Sequence, residues 1–239
     1  MDPQPTADKI HWILEQMPHL YRVAFAARSA SRVANFANVS DVVPSTAHSE
    51  ATRGLRYAIQ VARGSAHRDD TQVWFDRLQS ASVGAPSEDP GFAALYAMYF
   101  AAIAASSQSD ASAGLAANTS SLATTANLYA NFDHPGHYRC ELADALLLES
   151  HAARAGADDG TPIDPAALGP LWPNGEPDGW PEPVPPPGFR LAIDPGDADQ
   201  GILQEVFEAL SELHEVHTGY ALTYTVDGAL VRAEAGVPA

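Results

Sequence analysis

Apolar residues recur at helical spacing through the first two thirds of the chain, and the breaks between these runs are chemically marked. Thr6–Met17 and Leu20–Phe36 read as two helices split near Pro18, whose ring cannot continue a helical hydrogen-bond ladder. Ser49–Gly64 keeps Leu55, Ala58, Ile59 and Ala62 on one face, and Asp70–Ser80 gathers Val73, Trp74 and Leu78. Asp89-Pro90 is a helix start, with an N-cap acceptor followed by a proline in the first helical position. The helix it opens, to about Ser107, is apolar nearly all round, which predicts the central buried element. Ser109–Asn131 and Pro135–Ala155 follow as two more, the second closed by Gly156. Alanine is abundant throughout, so these helices can approach closely, and the expectation is a bundle of about seven.

The period then changes. Residues 161–188 hold ten of the 19 prolines, which rules out helix and central strand there. Pro185-Pro186-Pro187 predicts a short polyproline II spacer. Trp172 and Trp180 carry rings too large and apolar for a free tether, so the segment is expected to dock as an ordered strap. Beyond it, Phe189–Asp194 alternates as a strand, and Asp197 with Gln200 resembles a capping box opening a helix to about His217. Leu222, Tyr224 and Val226 alternate again, and Asp227-Gly228 is a two-residue hairpin turn into Ala229–Ala233. The predicted class is α+β: a helical bundle over 1–156, a Pro/Trp strap over 157–188, and an acidic β-α-β-β module over 189–239. So small a module needs the bundle, a second copy or a partner to bury its surface.

Charge sharpens this division. Thirty acids against 13 bases give a net charge of −17, and residues 157–239 contribute −13 of it. A nucleic-acid backbone or an anionic membrane needs a basic face, so neither is an expected partner. The longest apolar run, Phe92–Ala105, is shorter than the ~20 residues of a membrane span. The start, Met1-Asp2-Pro3-Gln4-Pro5, lacks the basic and apolar runs of a signal peptide. One cysteine, Cys140, excludes an intrachain disulfide. The expectation is a cytoplasmic protein.

Candidate chemistry is sparse. His134, His137, Glu141, Asp144 and His151 form one cluster; on the helix from Pro135, positions 137, 141, 144, 148 and 151 share one stripe that Leu148 interrupts. Imidazole and carboxylate one turn apart can ligate a divalent metal, so His137, Glu141 and His151 define the metal alternative; the bland alternative is an exposed polar stripe or partner face. His214 and His217 are three apart, not the four of the zinc-protease helix. Arg28 and Arg32 lie one turn apart and Arg53, Arg56 and Arg63 near another face; abundant acids favour internal ion pairs over ligand capture. Glu205, Glu208, Glu212 and Glu215 make an acidic stripe suited to a basic partner. Gly-x-Ser-x-Gly, Gly-x-Gly-x-x-Gly and phosphate-loop patterns are absent, and Lys9 is the sole lysine. No motif calls for a cofactor or a catalytic residue.

The stretches AFAARSASRVANF and SEATRGLRYAIQVARG, within Ala24–Gly64, resemble the alanine-rich helical immunity proteins of bacterial toxin–immunity systems. The run FRLAIDPGDADQGILQEVFEALSELHEVHTG looks like the small β-α-β accessory modules of bacterial conflict-system effectors. The resemblance implies a binder or adaptor in a defence or conflict locus and carries over no catalytic residue. The leading expectation is therefore a non-enzymatic protein-interaction component. It is expected to dock a protein partner, a basic one being the electrostatic complement, through Glu205, Glu208, Glu212 and Glu215, with Trp172 and Trp180 fixing the module; self-association of the C-terminal sheet stays open. The alternatives are an immunity protein neutralising a toxin and a metal-dependent hydrolase built on His137, Glu141 and His151.

Overall fold

The computed structural model describes residues 4–82, 88–132, 134–181, 222–226 and 229–233. Seven α-helices are described: α1 (Gln4–Gln16), α2 (His19–Val39), α3 (Ser45–Ala62), α4 (Thr71–Ser82), α5 (Pro90–Ser106), α6 (Ser109–Tyr129) and α7 (His134–Ala155). They form the expected helical bundle. Two bounds differ from the sequence reading by three residues or more. Helix α2 runs three residues past Phe36, and α3 begins at Ser45, directly after Pro44, which stands at its N-cap in an extended conformation. A proline there leaves the first helical turn free to start at once.

Helix α5 is the hub. Its start is fixed by Asp89, whose carboxylate accepts from the Phe92 backbone N–H at 2.9 Å and from the Ser40 hydroxyl at 3.1 Å. It is buried on nearly all sides and packs against α2, α3, α4 and α6. Small residues make this possible: Ala97, Ala101 and Ala102 on α5, Ala27 and Ala30 on α2, and Ala116 and Ala123 on α6 are all fully buried. Two buried polar residues of α6 are satisfied locally. Thr119 and Thr124 hydroxyls donate to the carbonyls of Leu115 and Ser120, one turn back. Helices α1 and α7 complete the bundle, packing against each other and against α6. At the end of α7, Gly156 takes a positive φ of 60°, and the Ala157 N–H reaches back to the Ala152 carbonyl at 3.0 Å. This is the glycine-terminated helix end that the sequence marks.

Residues 1–182 form one compact unit and 183–239 a second. Residues 157–181 thus belong to the same unit as the helices. The Ile163 N–H bonds the Ala62 carbonyl at 2.8 Å, and Asp164 pairs with Arg63 at 2.9 Å. One correction concerns regular structure here: Pro165–Leu168 is a 3-10 turn. Asp164 caps it by accepting from the Ala166 N–H, and Pro165 stands at its first position, where a missing donor costs nothing.

In the second unit, β1 (Leu222–Val226) and β2 (Ala229–Ala233) pair antiparallel, from Leu222 opposite Ala233 to Val226 opposite Ala229. The strand read at 189–194, the helix read at 197–217 and the polyproline spacer lie outside the described residues. Among the described residues no helix is long and apolar enough to cross a membrane.

Candidate functional site

The sequence singled out two sets of polar residues, and the bundle joins them. Helix α2 presents Arg28, Ser29 and Arg32 to one face of α7, which presents His137, Glu141 and Asp144. All six are buried, Glu141 and His137 completely. From His137 to Leu148 the stripe expected as an exposed polar face is therefore the inward face of α7, and only His151 at its end is exposed.

The geometry is a closed set of charges. Arg28 grips Asp144 in a fork, Nε to Oδ2 at 2.7 Å and a terminal nitrogen to Oδ1 at 3.1 Å. Arg32 donates to Glu141 at 2.6 Å and also to Asp144. The Ser29 hydroxyl donates to the second oxygen of Glu141. Two guanidinium groups thus face two carboxylates, and the cluster is neutral. Burial works against the Arg32 charge, but Glu141 and Asp144 outweigh it and hold the guanidinium more firmly protonated than usual.

The remaining donors are spent on the strap. Arg28 donates to the carbonyls of Pro165, Gly169 and Pro170 at 2.8, 3.0 and 3.1 Å, and Arg32 Nε to that of Leu171 at 2.9 Å. An irregular, proline-broken segment cannot pair its carbonyls in a ladder, and two arginine forks supply the donors instead. The same segment delivers its tryptophans inward. Trp172 and Trp180 meet edge to face with centroids 4.7 Å apart, Trp180 lies 4.7 Å from Phe36 and 5.0 Å from Phe132, and Trp172 lies 5.9 Å from the His137 ring. Both indoles are buried, as core residues of the helical unit.

His137, Glu141 and His151 do not converge on a metal. Glu141 is committed to Arg32 and Ser29, His137 Nε2 stands 3.6 Å from Glu141, and His151 is exposed, its Nδ1 bonded to the Tyr21 hydroxyl at 3.0 Å. Among the described residues no group of three potential ligands is placed to hold an ion. The arginines explain this: they fill the space and the carboxylate lone pairs a cation would need. Cys140 is half-buried, and burial pushes its thiol pKa up, away from the reactive thiolate. Glu205, Glu208, Glu212 and Glu215 lie outside the described residues.

Two features escaped the sequence reading. His19 is fully buried at the start of α2, and its backbone N–H donates to Asp159 at 2.7 Å, which also accepts from Ser109 at 2.7 Å. Burial holds the His19 imidazole down to about 4; Arg68 and Arg22 push the same way and Asp159 opposes them. A histidine one residue after a proline carries no sign of this. The second is a cleft of about 640 Å³ between the start of α7 and residues 172–178, lined by Arg139, Cys140, Trp172, Glu176 and Asp178 among others. Its walls come from two segments, 136–143 and 172–178, far apart in sequence, so local patterns could not reveal it. No family model, curated protein or solved structure matches this chain.

Proposed function

We propose that this protein is a non-enzymatic interaction or adaptor component that docks a basic protein partner. One observation carries the reading: the buried arginines cancel the buried carboxylates, so the net charge of −17 belongs to the rest of the molecule. In this reading the helical unit is the scaffold, and residues 189–239 fold as an acidic β-α-β-β module whose Glu205, Glu208, Glu212 and Glu215 supply the contact. An acidic face steers a basic partner into encounter and loses its pull as salt screens it. The resemblance to immunity proteins supports a narrower form, in which the partner is a toxin whose basic site the acidic surface covers.

The test is the affinity of the intact chain for its co-purifying partner at low and high ionic strength, in parallel with Glu205→Gln/Glu208→Gln/Glu212→Gln/Glu215→Gln. The reading expects affinity to fall with salt in the parent and to be low and nearly salt-independent in the variant. Equal affinity of parent and variant across the salt range would overturn the role of the stripe.

A further inference from the structure

The cleft between α7 and the strap has walls of opposite sign. Arg139 stands on the α7 wall, and Glu176 and Asp178 stand on the strap wall; all three are exposed, and among the described residues none of them is in an ion pair or a side-chain hydrogen bond. Trp172 lies between, its ring pinned by Trp180 at 4.7 Å with the Arg32 guanidinium 6.0 Å from the ring centroid. The volume is that of a ligand site, which spans ~300–1,000 Å³.

What lies beside the cleft decides what it takes. Continuing along α7 from Arg139, the positions one and two turns on are Ala143, Leu146 and Leu147. Ala143 also lines the cleft, and the two leucines are 41% and 38% exposed. A small molecule seated in the cleft would leave these leucines in water. A chain segment entering the cleft and running along α7 would cover them, which burial of apolar surface favours. The molecule also shows how such a backbone is held: Arg28 and Arg32 already bind irregular chain through its carbonyls. Arg139 offers the same fork to a segment from outside, while Glu176 and Asp178 offer two acceptors for a cation.

We infer that this cleft is a docking site for an extended segment of a protein partner, with a lysine or arginine side chain held by Glu176 and Asp178, backbone carbonyls held by Arg139, and following apolar residues laid over Leu146 and Leu147. The inference rests on the docking reading above and gives it a second contact, on the helical unit. Charge complementarity sets the choice of a basic side chain: two carboxylates face the entering group from the strap wall, and an acidic side chain there would meet like charge.

The test is a titration of the ¹⁵N-labelled full chain with the peptide acetyl-Arg-Gly-Leu-Leu-Gly-amide and with its counterpart carrying Glu in place of Arg. The site predicts saturable shifts at the Trp172 indole and at the backbone of Arg139, Cys140 and Gly175 for the Arg peptide. It predicts affinity about fivefold lower or worse in Glu176→Gln/Asp178→Asn, since each exposed pair contributes modestly. Leu146→Ser should weaken the Arg peptide while leaving its preference over the Glu peptide intact. Both charge substitutions sit on exposed side chains, so an unchanged helical circular dichroism signal confirms that the variant is folded. Shifts spread over the acidic surface, equal binding of the two peptides, or unchanged affinity in the double variant would each overturn the site. If the co-purifying partner binds Glu176→Gln/Asp178→Asn as tightly as the parent, the cleft assignment fails and the docking reading stands. If the peptide binds as described while the partner's affinity is indifferent to the four Glu→Gln changes at 205, 208, 212 and 215, the stripe contact fails and the cleft stands.

Discussion

Arg32 has no water to fall back on: its guanidinium lies between Glu141 and Asp144 with its Nε on the Leu171 carbonyl. Removing one member of a buried ion pair costs more than removing both, because the survivor stays desolvated and uncompensated. Arg32→Met should therefore cost about 3–5 kcal/mol in urea unfolding. The double variant Arg32→Met/Glu141→Leu should be more stable than Arg32→Met alone, since Arg28 still neutralises Asp144. A double variant less stable than the single would mean that Glu141 acts through something other than its charge. His19 sets a different test. Its imidazole is neutral in the fold down to about pH 4, whereas in the unfolded chain it titrates near 6.5. Above 6.5 both states are neutral there and the residue contributes no pH dependence. Between 6.5 and about 4 the unfolded chain holds the extra proton, so stability falls as pH falls; below that the loss levels off. In urea melts at pH 7 and pH 5, His19→Gln should lose less stability than the parent across that interval. An equal loss would place the acid sensitivity elsewhere.

At the scale of elements, the helical glycines differ in the space around them. A Cβ on Gly91 would lie 2.3 Å from the Ser40 Cβ, which sits next to backbone and has little room to move. Gly91→Ala should destabilise by about 1–3 kcal/mol through overpacking. Gly114, inside α6, would meet nothing within 4 Å, so Gly114→Ala should stabilise by about 0.5–1 kcal/mol through the lost flexibility of the unfolded chain. Opposite signs in thermal melts of the two variants would support the helix packing described; destabilisation by Gly114→Ala would contradict it. Helix positions were legible in the sequence because their boundaries are chemical: Pro18, Asp89-Pro90 and Gly156 each end or open a helix by a backbone constraint. The orientation of α7 was not. A stripe of histidine and carboxylate reads as a solvent face unless its counter-charges are located, and Arg28 and Arg32 lie more than one hundred residues earlier. The available signal was the match of two bases one turn apart on α2 with two acids nearly one turn apart on α7.

The strap ties this pairing to the whole helical unit. Trp172 and Trp180 were legible as docked side chains from size and apolarity, but capture of carbonyls by arginine leaves no trace in a sequence, since every residue carries a carbonyl. Trp180→Ala should cost about 3–5 kcal/mol, as for other buried tryptophans, and loosen the Phe36–Phe132 contact it completes. Limited proteolysis should then cut first within residues 173–181; unchanged resistance there would separate the ring cluster from strap docking. Arg28 and Arg32 turn inward on their carboxylates, which leaves the remaining charge strongly acidic; the proposed role as a scaffold for an electrostatic partner rests on that. Native mass spectrometry of the full chain, purified gently from its own host at low ionic strength, tests this most directly. The account predicts a stoichiometric complex with a basic protein that dissociates as salt is raised. A chain carrying one metal ion or one organic ligand, with no protein partner at any ionic strength, would contradict it.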